Sequence, residues 1–503
     1  MDSRKNYVVA VDVGSSEVVI AVGSMAEGGT VNIETVVAEP LTGVSAGLGE
    51  NSQTVAEALR RARVRAEQEV GVAITDAYVT ISGRFVRCAR YTDHVFVEDN
   101  ENRISQRDLA ALRERMLNVK AGAGEVIMDL FPLCYKSDIG TELQNPVGCY
   151  SKQLSSTYNF ILCEDTAKDR LRRVFLDVGI KIRSMFAGAS VMAKSLVTSD
   201  EKEDGVAIVD IGSGVTDLAI YRGGVLCYIA SIPMGGSALN NDILGYDNNI
   251  PSRMVENLKK QCGSAVVELT PDDMIQVRNR GRAIKPIPRL NLAAVIEARM
   301  TDIAEYVWNE IREAGYAKKL GAGIVLTGGG ANLKNVGELF HRITEQEVRV
   351  ACAEIGVATE ALEKYASPSY TMALSLLLHG AEVGPCPVGV LIQRPAEPKT
   401  EPKAEPVKPV EPAQPAKPAQ PKVAPQPQVT PQPQPQPQPI QQPAEPNTLK
   451  DEDDNYGDDI ADGDDDVKPG RGGWFRGWGG KIKRAFTEAF PEPGEDVDGD
   501  DEY

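Results

Sequence analysis

GAGIVLTGGGANLKNVGELF, Gly321 to Phe340, sets a short apolar run, a triple glycine and an amphipathic segment in immediate succession. The apolar run reads as a buried strand, and the residues after Gly330 predict a helix with Asn332 near its start. Three glycines at a strand end let a ligand approach the main chain closely, and a helix N-terminus favours an anion. The arrangement suits a nucleoside and its phosphates. Taken alone, it reads equally as a glycine-rich turn with no ligand.

Two stretches upstream bear on the choice. YVVAVDVGSSEVVIAVG (Tyr7 to Gly23) is a pair of β-rich runs around Gly14-Ser15-Ser16, with Asp12 near the end of the first. GVAIVDIGSGVTDLAIYRGG (Gly205 to Gly224) repeats the design with Asp210, Gly212-Ser213-Gly214, then Thr216 and Asp217. Small residues let N–H groups close on an anion, and the hydroxyls add hydrogen bonds. A carboxylate at each strand end suits Mg²⁺ held through water, because that ion dehydrates reluctantly. Each hairpin alone is as well read as an ordinary turn. Two copies about two hundred residues apart predict a duplicated α/β domain that clasps phosphates from both sides.

With these three elements in order, the sequence resembles the actin–Hsp70–sugar kinase superfamily and, within it, the FtsA family of bacterial cell-division proteins. The three stretches resemble the superfamily's phosphate-1, phosphate-2 and adenosine motifs. MFAGASVMAKSLV (Met185 to Val197) and SPSYTMALSLLLHG (Ser367 to Gly380) resemble its two interdomain helices. DAYVTISGRFV and GEVIMDLFPLCYKSDIGTELQNPVGCYSKQL resemble the family's inserted subdomain, and MGGSALNNDI with LAAVIEARMTDIAEYV its lower subdomain. The chain departs in two places. Relatives often carry Lys just after the phosphate-1 turn, where Glu17 stands here, and Leu374-Ser375 stands where Gly is expected.

The resemblance implies duplicated actin-like (ribonuclease-H-like) α/β domains with an inserted α+β subdomain. The first domain takes residues 5–82, 166–200 and 358–392, and the insert 83–165. The second takes 204–237 and 318–357, with a lower helical subdomain at 238–317. It further implies ATP and Mg²⁺ as ligands. The binding set is Asp12, Gly14, Ser15, Ser16, Asp210, Gly212, Ser213, Gly214, Thr216, Lys259, Gly328, Gly329, Gly330 and Asn332, with Asp12 and Asp210 on the metal. No catalytic base can be picked out, so activity is expected to be at most a slow ATPase. The leading expectation is an adaptor that forms actin-like filaments and tethers the division ring to the inner face of the cytoplasmic membrane. A vigorous ATPase or kinase, an Hsp70-like chaperone and a pilus-assembly homologue are the alternatives.

Periodicity agrees in places: TVAEALRRARVRAEQEVG reads as a helix ended by Gly71, and ISQRDLAALRERMLNV as a capped helix beginning near Ser105. IQVRNRGRAIKPIPRL gathers Arg278, Arg280, Arg282, Lys285 and Arg289. This is either a solvated loop or a dock for an acidic peptide, since Arg pairs carboxylates bidentately. The resemblance names the partner as the tail peptide of the tubulin-like FtsZ, alongside self-assembly and other divisome proteins.

Composition bounds the rest. The net charge is −18, and more than half of it lies beyond Arg394, so the body is only mildly acidic and nucleic acid is not an expected partner. Eight cysteines without a CxxC pair predict a reduced, intracellular protein, and three histidines exclude a His-rich metal site. Nothing resembles a signal peptide, and no apolar run is long enough to cross a bilayer.

From about residue 393 to 470 the chain is Pro-, Gln- and Glu/Lys-rich and then acidic, a composition that predicts an extended, disordered linker. GWFRGWGGKIKRAFTEAF (473–490) follows, and 491–503 form an acidic tail. On a helix, Trp474, Trp478, Ile482 and Phe486 share one face, which Phe475 and Phe490 widen. Arg484 lies opposite, and Lys481 sits at the border where it can snorkel. That pattern predicts an interfacial helix on anionic lipid, making the protein peripheral at the division site.

Overall fold

The computed structural model describes residues 6–25, 30–41, 52–143, 145–247, 250–277, 285–358 and 363–390. The linker, the 473–490 segment and Arg278, Arg280 and Arg282 lie outside them, and of Lys285 only the backbone is described.

Val8 to Val11 and Val18 to Val22 are buried without interruption. Such runs belong to strands covered on both faces rather than to a half-exposed sheet. They form β1 (Tyr7–Val13) and β2 (Glu17–Met25), joined by the Gly14-Ser15-Ser16 turn, in which Gly14 N–H donates to Glu17 C=O at 3.0 Å. β3 (Val31–Pro40) continues the antiparallel ladder. Helix Ser52–Val70 ends at Gly71, whose φ of +78° suits a left-handed stop, and leads into β4 (Val72–Ile74) and β5 (Asp76–Ile81). β5 runs parallel to β1.

The chain then leaves this sheet for another. β6 (Val86–Phe96), β7 (Glu125–Lys136), β8 (Glu142–Leu143) and β9 (Gln153–Glu164) form a four-stranded sheet in the order β6-β9-β7-β8. Helix Gln106–Leu117 packs on it, with Ser105 N–H donating to the Asp108 carboxylate at 2.7 Å at its start. Leu112, Met116, Leu154, Tyr158 and Phe160 give this insert a core of its own. Helix Asp165–Val178 and β10 (Lys181–Ala187) bring the chain back, completing the order β10-β5-β1-β2-β3.

The second half repeats the plan. β11 (Val206–Ile211) and β12 (Thr216–Arg222) form an antiparallel hairpin, and β13 (Val225–Ile232) follows on the outside. The hairpin β14 (Met274–Val277) and β15 (Lys285–Pro288) belongs to a helical lobe with helices Gly236–Tyr246, Ser252–Cys262 and Arg289–Glu313. Leu292, Ile296, Met300 and Ile303 line the buried stripe of the last helix. β16 (Ile324–Thr327) and β17 (Val348–Val350) complete the order β13-β12-β11-β16-β17, with β16 parallel to β11. A final strand, β18 (Val388–Val390), pairs with β4. The two five-stranded sheets share one strand order and one hairpin-then-parallel pattern.

Two connections cross between the halves. The first three residues of Met185–Val197 finish β10 instead of opening a helix, and short helices Gly188–Val191 and Ala193–Leu196 follow. The second crossing is a single turn at Pro368–Tyr370 leading into helix Thr371–Val383. Ser195 and Ser375, both fully buried, meet hydroxyl to hydroxyl at 2.5 Å. Ser195 C=O also accepts from the Glu354 and Ile355 N–H groups at 3.1 Å each. The serine that stands in place of the expected glycine therefore ties the two crossings together.

Candidate functional site

A cleft of about 870 Å³ opens between the two hairpins. Asp12, at the end of β1, and Asp210, at the end of β11, line its floor with Asp217, which stands directly across the ladder from Asp210. Three carboxylates crowded on one floor, with Asp217 buried and the other two half-buried, repel one another and lose part of their water, and both effects favour the protonated form. Burial raises Asp12, and the Thr80 hydroxyl, donating to Asp12 Oδ1 at 2.5 Å, opposes that rise. Burial, then Asp217 and Asp12, push Asp210 up to about 8. Burial pushes Asp217 up to about 6, against help from Ser231, Gly83 and Ser82. A floor so short of positive charge is suited to a cation.

The turns above the floor are small by necessity. Gly14, Ser15 and Ser16 line one side, Gly212 and Ser213 the other. The second turn is backed by helix Gly236–Tyr246: Gly236 and Ser237 N–H donate to Gly212 and Ser213 C=O at 2.9 and 2.8 Å. Thr216 does not line the cleft. It is fully buried, and its hydroxyl donates to Met234 C=O at 2.8 Å. Gly214 does not line it either.

The triple glycine lies along the wall, and its members differ. Gly328 has φ of +83°, and a Cβ there would lie 2.0 Å from Asp210 Oδ1. A Cβ on Gly330 would lie 2.4 Å from Ile211 Cγ2. Gly329 is open, with only Ser369 Oγ within reach, at 3.7 Å. The residues facing the cleft form a single 3₁₀ turn, Gly329–Asn332, and the α-helix begins only at Val336. Asn332 is therefore not in the first turn of that helix. Its side-chain amide donates to Gly329 C=O at 3.3 Å and Ser369 Oγ at 3.2 Å. The delay has a cause in the fold: Ala265 N–H takes Lys334 C=O at 2.8 Å, and Asn335, at φ +61°, reaches Ser264 Oγ at 2.9 Å.

Helix Ser252–Cys262 supplies the cleft's cations. Lys259 Nζ donates to Glu256 Oε2 at 2.8 Å and Gly236 C=O at 3.0 Å. Burial lowers its pKa and Glu256 opposes that. Glu17, half-buried at the start of β2, lines the cleft as well. Burial raises it, Lys260 draws it down, and Asp12 and Glu256 raise it further. Its carboxylate thus belongs to the site's electrostatics.

Among the described residues no group of three or more His, Cys, Asp or Glu is placed to hold a metal by itself. Two carboxylates with hydroxyls and open main chain nonetheless fit Mg²⁺, which keeps most of its waters and shares phosphate oxygens. Thr80, Glu256 and Lys260 belong to the site although the motifs alone did not single them out, and Asp217 belongs to it although the motif that contains it gave it no role. For Asp217 a signal exists, since it stands second in the second strand of its hairpin, opposite Asp210. Arg289, by contrast, is already paired with Asp273 at 2.5 and 3.0 Å in the helical lobe.

Residues 207–375 match the profile of the family described as "Cell division protein FtsA". The chain is 28% identical over 388 residues to the cell division protein FtsA of Escherichia coli K12, an alignment covering 75% of this chain and 91% of that one. It is 27% identical over 400 residues to FtsA of Pseudomonas aeruginosa, covering 79% and 94%. Among solved structures, a PilM–PilN type IV pilus biogenesis complex superposes with a TM-score of 0.52 at 13% identity, over 74% of this chain and 98% of that one. That likeness shows the fold alone.

Proposed function

Because the chain belongs to the FtsA family of cell-division proteins, we propose that it is an ATP-binding adaptor. In this reading it assembles with its own copies and anchors the FtsZ ring to the cytoplasmic face of the membrane. The observation that carries the nucleotide half is the cleft itself: two equivalent acidic hairpins face each other, and one glycine of three is held open toward the space between them. Asp12 and Asp210 would hold Mg²⁺ through water. The two turns would take the phosphates, and Gly329, Asn332 and Lys259 would take the nucleoside side. Bound ATP with its metal would supply a dense anion and the charge that the acidic floor lacks. Equilibrium titration with ATP, with and without Mg²⁺, tests this, and no binding at millimolar ATP would sink it.

Glu17 works against a polyphosphate. A carboxylate about 6 Å from a phosphate charge at an effective dielectric of about 20 opposes it by about 3 kcal/mol per unit charge. Lys260 and solvent reduce that figure. Glu17→Gln is expected to tighten ATP binding by roughly tenfold, and Glu17→Lys further. Unchanged affinity in the same titration would show that the carboxylate is fully screened.

The membrane half of the reading rests on the 473–490 segment. Among the described residues no helix is long and apolar enough to cross a membrane. Burying six large apolar side chains in an interface at about 1.5–3 kcal/mol each is ample drive for peripheral attachment. Trp478→Glu with Phe486→Glu is expected to release the protein from anionic vesicles in co-sedimentation while leaving ATP affinity intact. A double variant that still pellets with the vesicles would point to a protein groove instead. The basic stretch at 278–289 is proposed as the dock for the acidic FtsZ tail, through Arg278, Arg280, Arg282 and Lys285, since Arg289 has its own partner.

A further inference from the structure

Behind the acidic floor lies a second cavity of about 10 Å³, walled by Ser82, Gly83, Gly188, Asp217 and Ser231 among others. Ser82 and Asp217 line both spaces, so these two residues form the partition between them. The Ser82 and Ser231 hydroxyl oxygens are buried, and neither makes a hydrogen bond of good geometry. Both are nonetheless close enough to the Asp217 carboxylate to ease its burial, as is the Gly83 N–H. A space of about 10 Å³ holds a single water, and a buried water needs two to four polar partners. Two hydroxyls and a carboxylate supply them. The wall is shaped around this point: a Cβ on Gly188 would lie 2.1 Å from Ser82 Oγ and 3.0 Å from Met372 Cε.

The cavity's other neighbours give it a consequence. Ser82 and Gly83 follow β5 and turn the chain into the inserted sheet, with Val86 N–H donating to Gly83 C=O at 3.0 Å at the start of β6. Ser231 stands on β13, across the ladder from Asp217. The same strand supports the insert: Cys88 Sγ–H on β6 donates to Ile229 C=O at 3.3 Å. Two residues along, Arg90 lies over the Tyr316 ring at 6.0 Å. Asn159 pairs with Arg90 across the β6–β9 ladder, is fully buried, and leaves both amide atoms without a partner. The insert therefore meets the second domain along β13, through Cys88, Arg90 and the apolar side chains around Ile229.

We propose that Ser82, Asp217 and Ser231 bind a buried water that couples the cleft to the inserted sheet. What Asp217 engages on the cleft side alters its hold on Gly83 and on the water, and the turn at Ser82-Gly83 passes the change into β6. The proposal rests on the nucleotide reading above. Hydrogen exchange on the full chain, with and without ATP–Mg²⁺, tests it, alongside ATP titration of each protein. ATP–Mg²⁺ is expected to slow exchange in β6 and β9 by about fivefold or more. Ser231→Ala, and Ser231→Val that fills the cavity, should keep ATP affinity and the slowing around Gly212 and Gly329 but lose it in β6 and β9. Slowing confined to the cleft in the parent protein overturns the coupling and leaves the nucleotide reading standing. So does slowing of β6 and β9 that survives in both Ser231 variants. Absence of ATP binding in the parent overturns both.

Discussion

Asp210→Asn is expected to make the ligand-free protein more stable while removing its Mg²⁺-dependent affinity for ATP. Asp210 sits half-buried on the cleft floor beside Asp217 and Asp12, and its folded pKa of about 8 lies far above the ordinary 3.8. Between those two values the folded chain binds more protons than the unfolded one, so stability falls as pH rises. The contribution is intact below about pH 4 and gone above about pH 8. Asp217, raised to about 6, acts in the same sense over a narrower window. An amide in place of the Asp210 carboxylate has no proton to lose. The variant's advantage should therefore be absent near pH 4 and reach on the order of 2 kcal/mol by pH 8. Denaturant unfolding at both pH values measures it, and a difference that does not grow with pH would show that the acidic floor is relaxed. Mg²⁺ with ATP should stabilise the parent most at the higher pH, where the three carboxylates most need a counter-charge.

Gly329→Val is expected to weaken ATP binding by at least roughly 100-fold, about 2.7 kcal/mol, with little change in melting temperature. The contrast within the triple glycine makes this a clean test. At Gly328 any side chain collides with Asp210, and at Gly330 with Ile211, so substitutions there damage the fold itself. At Gly329 the protein leaves the space free, and what a valine would fill is the cleft. Gly329→Val that folds and binds ATP like the parent would place the nucleotide elsewhere.

The hairpins were legible because each is built from local rules. Unbroken Val/Ile runs mark strands buried on both faces, and a Gly-Ser turn with a nearby Asp marks their joint. The helix Gln106–Leu117 was legible for the same reason, through its cap at Ser105, to which the structure adds Asp108. What escaped the sequence depends on residues far apart in it. Asn332 was expected near the start of a helix, yet Ser264 and Ala265, some seventy positions away, pull Lys334 and Asn335 out of helical geometry. Thr216 has the right chemistry for a phosphate, but its hydroxyl is taken by Met234 C=O. Glu256 and Lys260 join the site only because the helical lobe folds over it, which no local spacing announces.

Ser195 and Ser375 have a mechanical consequence. Two chain crossings are tied at one buried point, with Ser195 C=O also holding Glu354 and Ile355. A turn of one half against the other would pivot near this point, and a filled cleft would set its angle. If copies assemble end to end as proposed above, that angle would be repeated at every joint. A rotation too small to notice in one subunit would then become a change in the pitch and curvature of the whole array, and the shape of the array would report what its clefts contain.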